Sequence, residues 1–458
     1  MADQILVPFE GEGSGQAELT WGQQHIWDWM TKSGLPLNMT AVRTLDESAT
    51  IDEFVDELRF FMSRFQAMRT RLRFDENGWP CQVVHRSGEV PLHIVDAAAG
   101  TDPAEVAAMV SADHEESHFD YENEWPVRMA LVRQEGRLTH LVTTLCHVVA
   151  DAAAAMEMFT DLIGRDPATG AAKEPVSEMT PLGLAAWQSS PAGLRQSAAA
   201  LRHWERHLRT IPARRSVHPA PAVPAAAERY WRYDYESSAI SLALRCLAGR
   251  LGAETTSVML AAYAIALVRV AGHCPVVLQV FASNRFRPGL ARAVSLVNQA
   301  GLFVLDLEED TTFDEAVVRT RQRVASAYKY AYYNQVDRDR LVARVSRERG
   351  AVIEIDSFLN DRRTQTMVDS GGPLPTASQL WAATSLTTVR RQRLDFFNKS
   401  LMLTILDASD GSDAVAMSFL ADTAFIPVPV VEELVLQVET VLVHAALPAT
   451  HVVQETNM

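Results

Sequence analysis

Apolar residues recur with helical spacing over 51–66, 103–117 and 151–164, and strand-length apolar runs lie between them at 81–86, 128–133 and 138–145. A helix is predicted over 191–210. Beyond residue 229 the alternation resumes, with helices predicted over 238–251, 255–271, 312–332 and 429–446. Composition shifts between the two stretches. Residues 166–177 (DPATGAAKEPVS) are rich in Pro, Gly and small side chains and read as a linker. The segment 218–227 (HPAPAVPAAA) reads as an extended surface crossover. The Gly/Glu-rich residues 1–16 are expected to be a mobile arm. These signals describe an α/β (α+β) chain: an arm (1–16), an N-terminal lobe (17–177) and a C-terminal lobe (178–458), with no short internal repeat.

One stretch of this pattern carries chemistry. In LTHLVTTLCHVVADAAAAM (138–156), Leu138, Leu141, Val142 and Leu145 form a strand, and the segment from Asp151 reads as a helix with Asp151 as its N-cap. His147 therefore stands at a strand-to-helix turn with a carboxylate four residues on. Imidazole is the side chain best suited to proton transfer near neutral pH. The spacing alone leaves two readings open: a catalytic His beside an orienting Asp, or a turn His beside a capping Asp.

Composition narrows the field. The formal charge of −15 and the absence of a Lys/Arg cluster argue against nucleic-acid binding. RTRLR (69–73) and RDRLVARVSRER (338–349) read as solvated helix faces. Cys81, Cys146, Cys246 and Cys274 are scattered without C-x-x-C spacing, which predicts reduced thiols and no zinc site. The sequence shows neither signal-peptide character nor an apolar run long enough to span a bilayer, so a cytoplasmic protein without membrane contact is expected.

Segments along most of the chain resemble the condensation domains of nonribosomal peptide synthetases, in order, over about 20–440. CHVVADA (146–152) is similar to the family's His-His-x-x-x-Asp-Gly motif. LTWGQQHIW (19–27) resembles its opening segment. FMSRFQAMRTRL (61–72) resembles the "R-H-E-x-L-R-T" helix end, with Phe65 and Gln66 in place of His and Glu. HFDYENEWPVRMALV (118–132) resembles the lead-in to the catalytic strand. Downstream, LRHWERHL (201–208), TTSVMLAAYAIALVRVAG (255–272), VVLQVFASNR (276–285) and SLVNQAGLFVLDL (295–307) are similar to further family segments.

The resemblance implies two chloramphenicol-acetyltransferase-like lobes forming a V-shaped pseudo-dimer, with a tunnel between them. It implies acyl or aminoacyl transfer from a carrier-protein phosphopantetheine thioester to an amine or hydroxyl, with no cofactor bound by the enzyme itself. His147 takes the role of general base or positioning group, and Asp151 that of a structural partner for Arg285. Asn298, Gln299, Asn360, Asp361 and Trp381 become candidate tunnel residues. The chain has room for one condensation domain. Its short N-terminal arm and polar 451–458 suggest a free-standing monomer that meets its carrier in trans, with a second carrier or a small amine or alcohol as acceptor. Two alternatives accompany this reading: a polyketide- or lipid-associated O-acyltransferase, and a degenerate domain that only recruits partners.

The sequence departs from the motif at two positions. Cys146 stands where the first His is usual, and Ala152 where Gly is usual. A Cys beside a His can be an activated nucleophile. Adjacent strand residues face opposite ways, however, which predicts a packed thiol. Elsewhere, His114 and His118 have the i, i+4 spacing of metal ligands but no third partner, so a solvated helix is expected. DASDGSD (407–413) reads as a hairpin turn rather than a calcium loop, and YKYAYY (328–333) as packing or an acceptor-side surface rather than a base-stacking platform.

Overall fold

The computed structural model describes residues 3–166, 169–177, 179–213, 229–363, 374–408 and 412–447. The expected crossover 218–227 and the polar segment 451–458 lie outside them. The chain divides into two compact units. The first holds residues up to Ala198 and takes back Ser283–Gln299 and Asn334–Val336; the second holds the remainder.

The first unit contains β1 (Asp3–Glu10), β2 (Gly15–Glu18), α1 (Trp21–Ser33), β3 (Asn38–Thr44), α2 (Ile51–Arg64), β4 (Thr70–Phe74), β5 (Pro80–Val84), β6 (Ser87–Asp96), α3 (Pro103–Glu116), β7 (Val127–Gln134), β8 (Arg137–Cys146), α4 (Ala152–Ile163) and α5 (Pro181–Ser189). The boundary falls inside α6 (Pro191–Leu208). A five-stranded sheet runs β1-β6-β7-β8-β3, and a smaller one runs β2-β5-β4. Alternation assigns the faces of the larger sheet. Met129 and Leu131 of β7 meet Phe54, Leu58 and Phe61 of α2 and Met158 of α4. Ala130 and Val132 meet Ala107 of α3. A strand covered on both faces reads as a continuous apolar run, which is why β7 and β8 were legible.

The N-terminal residues are not a mobile arm. Asp3–Glu10 pair antiparallel with β6, from Asp3 opposite Ile94 to Glu10 opposite Ser87. Val7 and Phe9 are buried in the core. The alternation that seats them is brief and ends in a Gly/Glu-rich turn, so composition outweighed it. The expected 177/178 division also differs from the observed units: α5 and the first part of α6 stay with the first unit. Ser283–Gln299 returns to it by close packing. A Cβ on Gly22 of α1 would come within 2.2 Å of the Leu296 carbonyl oxygen.

The second unit contains β9 (Tyr230–Ser237), α7 (Ser238–Leu251), α8 (Thr255–Ala271), β10 (Val276–Ala282), β11 (Gln299–Leu305) after its first residue, α9 (Phe313–Lys329), α10 (Gln335–Arg349) after its first two, β12 (Ser357–Asp361), α11 (Ala377–Thr384), β13 (Thr388–Leu394), β14 (Leu401–Asp407), β15 (Val415–Asp422) and α12 (Val428–Ala446). Its seven-stranded sheet runs β11-β10-β12-β14-β15-β9-β13. Val280, Leu359, Leu403, Phe419 and Tyr233 point into a core with α7, α8 and α12. Val277, Leu302 and Val304 pack with Trp204 and Leu208 of α6 and with Leu341 and Val345 of α10. Asp407 and Val415 pair across β14 and β15, so 407–413 does join antiparallel strands, although 409–411 lie outside the described residues. Among the described residues no single helix is long and apolar enough to cross a membrane.

His203 of α6 is buried in this unit, stacked on Tyr330 at 4.4 Å between ring centroids and 4.7 Å from the His207 ring. Burial, reinforced by His207 and Arg206, pushes its pKa down to about 4. The unfolded chain then binds a proton that the folded chain refuses between about pH 6.5 and 4. This contribution is therefore whole above the upper value and lost as pH falls through the interval. His203→Phe keeps a ring against Tyr330 but cannot titrate. Thermal midpoints measured from pH 7.5 to 4.5 should fall less steeply in the variant, and parallel curves would show that other groups govern the acid response.

Candidate functional site

The residues singled out around His147 all lie in the first unit. Strand β8 ends at Cys146, whose backbone N–H donates to the Pro126 carbonyl at 3.0 Å. The chain then turns. The His147 N–H donates to the Leu37 carbonyl at 3.0 Å, and the Val149 N–H to the Cys146 carbonyl at 3.1 Å. Val148, Val149 and Ala150 are buried, while His147 is half-buried. Sequence and packing thus place one polar ring on an otherwise apolar turn, anchored by backbone on both sides.

The ring is itself held. His147 Nδ1 lies 2.7 Å from the Ala150 carbonyl oxygen. A carbonyl only accepts, so Nδ1 carries the proton and the lone pair of the neutral ring is on Nε2. A base must present an acceptor nitrogen, and this backbone contact fixes which nitrogen that is. No side chain marks Ala150 as a participant, so nothing in the sequence pointed to it.

Asp151 is the N-cap of α4, its Oδ1 accepting from the Ala154 N–H at 2.8 Å. The same oxygen accepts from Arg285 Nη2 at 2.5 Å, and Oδ2 lies 3.5 Å from the Val297 N–H. Both side chains are largely buried, at 7% and 12% exposed. Arg285 Nη1 donates to the Ala293 carbonyl at 2.8 Å. The turn that delivers Arg285 rests on Asn284, which takes a left-handed backbone (φ 57°) and donates through Nδ2 to the Val297 carbonyl. Asp151 therefore both caps the helix and pairs with Arg285.

A second ion-pair group escaped the sequence reading. Asp161 of α4 accepts from Arg64 of α2 at 2.5 Å and from Arg292 at 2.9 Å, and Arg292 also pairs with Glu157. It fastens α4 to α2 and to the 283–299 segment. Its members are far apart in sequence and carry no motif.

Cys146 is 2% exposed, packed among Leu19, Ile26, Leu72, Phe119, Val148 and Leu296. Burial pushes its thiol up to about 12, so the thiolate needed for nucleophilic attack is suppressed. A cavity of about 10 Å³, lined by Cys146, Val148, Phe119 and Tyr121 among others, adjoins it and has room for one water. Ala152 opens α4, and among the described residues only Glu135 and Asn284 are non-glycine residues with positive φ. The Gly-to-Ala departure therefore meets no backbone strain.

The remaining candidates separate. Asn298 and Gln299 belong to the first unit, and Asn360, Asp361 and Trp381 to the second. Gln299 is fully buried, its Nε2 3.4 Å from the Trp21 carbonyl. Asn298 is half-buried, with an Oδ1 that has no hydrogen-bond partner among the described residues. Asp361 pairs with Arg363 at 2.7 Å and accepts from Thr256 Oγ1 at 2.8 Å, which commits both its oxygens within the second unit. Trp381 lies on helix α11 rather than beside a strand, edge-on to His444. His114 and His118 diverge. His114 Nδ1 meets Thr144 Oγ1 at 3.1 Å, whereas His118 lies past the end of α3 with Nε2 3.2 Å from the Gly34 carbonyl. Among the described residues no three His, Cys, Asp or Glu side chains gather as metal ligands.

The condensation-domain family model matches residues 15–366. The chain is 24% identical over 332 residues to a phosphinothricin tripeptide synthetase of Streptomyces viridochromogenes, covering 70% of this chain and 30% of the relative. It is 25% identical over 321 residues to the cyclosporin synthetase of Tolypocladium inflatum, covering 67% and 2%. The chain thus spans less than a third of these curated relatives. Among solved structures, it is similar to one described for condensation domain-mediated chain release from the enacyloxin polyketide synthase. The TM-score is 0.73 at 16% identity, covering 96% of this chain and 84% of the other. It is also similar to the X-domain from teicoplanin biosynthesis, with a TM-score of 0.67 at 17% identity and coverage of 95% and 96%.

Proposed function

The chain belongs to the condensation-domain family, and on that premise we propose that it transfers an acyl or aminoacyl group from a carrier-bound phosphopantetheine thioester to an amine or hydroxyl acceptor. The observation that carries this reading is the 2.7 Å contact of His147 Nδ1 with the Ala150 carbonyl, which takes Nδ1 as donor and leaves Nε2 as the accepting nitrogen. In this account the acceptor's nitrogen or oxygen attacks the thioester carbonyl and the new C–N or C–O bond forms. The C–S bond breaks as the tetrahedral intermediate collapses. The proton lost by the nucleophile passes to Nε2 and then to the departing thiolate sulfur, so the imidazolium formed on the way returns to neutral as the thiol leaves. The acyl group moves directly, without an enzyme-bound intermediate. Asp151 and Arg285 hold the turn and take no part in the chemistry.

Incubation with an acyl-loaded carrier protein and an amine or alcohol, followed by intact mass, tests the proposal. Loss of the acyl mass from the carrier, with matching gain on the acceptor, is expected. The same samples, quenched in acid, test Cys146. Its thiol is buried and held protonated, so the 138–156 peptide should show no acyl mass gain. A stable adduct there would replace direct transfer with a two-step mechanism.

A second reading is favoured by the likeness to the X-domain, which has also been solved in a complex with OxyB from teicoplanin biosynthesis. In that reading the chain recruits a partner and performs no transfer. Carriers that remain fully loaded after long incubation with every acceptor class would support it.

A further inference from the structure

The sheet of the second unit ends at β13 (Thr388–Leu394, TVRRQRL), with β9 as its neighbour on one side and, among the described residues, no strand on the other. Its first six residues are exposed. The outer row of backbone N–H and C=O groups is thus a template for an added strand. Arg390, Arg391 and Arg393 lie along it, in a chain of formal charge −15.

The three arginines differ in how they are held. Arg391 stacks on Trp231 at 3.7 Å from guanidinium to ring centroid and pairs with Glu432 at 3.0 Å. Arg390 stands opposite Asp234 in the register, but Asp234 pairs with Arg232. Among the described residues no carboxylate lies within 4.0 Å of either Arg390 or Arg393. Arg390 and Arg393 project from opposite faces of the strand, because side chains alternate. Exposed Leu386 and Val389 add apolar surface at one end.

Charge on an edge strand opposes self-association: two copies of β13 laid edge to edge would set arginines against arginines. The same arrangement favours a strand of opposite charge. We propose that β13 is a docking edge for an acidic, extended protein segment that adds to the sheet as an eighth strand, its backbone paired with β13 and its carboxylates facing Arg390 and Arg393. The interaction is independent of the His147 chemistry, because it needs no substrate and no turnover.

The probe is a fluorescein-labelled Glu/Val peptide of repeating Glu-Glu-Val-Val, which presents carboxylates on both faces of an extended strand, followed by anisotropy with the whole chain. Three comparisons accompany it: a Lys/Val counterpart, a Glu/Val peptide with alternate backbone amides N-methylated, and the Arg390→Glu/Arg393→Glu variant. Saturable binding of the Glu/Val peptide is expected, with the double variant, the N-methylated peptide and the Lys/Val peptide each weaker by about tenfold or more. Arg390 and Arg393 are exposed and make no ion pair among the described residues, so the variant should keep its thermal midpoint. A shifted midpoint transfers the test to Arg390→Gln/Arg393→Gln, which should show the same weakening. No saturable binding of the Glu/Val peptide would overturn the proposal. So would equal binding of the N-methylated form, since charge alone would then account for the contact.

Discussion

Replacing His147 by Ala should lower turnover by about 10²-fold or more while leaving the thermal midpoint nearly unchanged. The small structural cost follows from the packing. The turn is anchored by backbone hydrogen bonds to Leu37 and Cys146, and its apolar residues Val148, Val149 and Ala150 are buried whether or not the imidazole is present. The half-buried ring contributes a contact to the Ala150 carbonyl, which water can replace. The large kinetic effect follows from losing the lone pair at Nε2. His147→Gln separates the two roles proposed for the ring. An amide oxygen can hold an amine by accepting its N–H, but it cannot take the proton away. Recovery in the Gln variant would assign positioning, and failure to recover would assign proton transfer. Full activity in both variants would remove His147 from the mechanism and favour the recruitment reading.

Much of this site was legible because its sequence signal is local. A strand of β-branched and leucine residues, a polar ring and a capping Asp fall within fourteen residues, Leu138–Asp151, each with a short-range rule behind it. The two helices α7 and α8 were equally legible, coinciding with the predicted 238–251 and 255–271. Their left-handed caps at Gly252 and Gly272 are signals written into single residues. What escaped is non-local. β1 is defined by its partner β6, and its two buried residues Val7 and Phe9 form too short an alternation to outweigh the glycines that follow. The return of Ser283–Gln299 to the first unit depends on contacts such as Gly22 against Leu296, which no spacing rule encodes. The same limit explains Asp361. Polar residues near strand ends were expected to be available to substrate, but a strand has two faces, and Asp361 uses its face to engage Thr256 and Arg363. The Arg285 pairing could be named in advance only through resemblance, since the two partners are 134 residues apart.

That pairing carries the largest expected effect on stability. Asp151→Ala should destabilise the chain by about 3–5 kcal/mol, because it leaves a buried guanidinium without its carboxylate and removes a helix cap as well. Asp151→Asn keeps an oxygen for the Ala154 N–H and should therefore cost less, a few kcal/mol arising from the uncompensated charge. Removing both charges should recover part of the loss. Asp151→Asn with Arg285→Met should be more stable than the sum of the two single changes predicts, since no buried charge remains unpaired. Turnover should fall in parallel with stability. Asp151 directly follows Ala150, whose carbonyl holds the His147 ring, so a loosened cap releases the acceptor that fixes the tautomer. Denaturation midpoints and turnover measured on Asp151→Ala, on both single changes Asp151→Asn and Arg285→Met, and on the double variant check this account. Asp151→Asn with an unchanged midpoint but abolished turnover would place the carboxylate in the chemistry itself. An additive double variant would show that the 2.5 Å contact contributes no coupling.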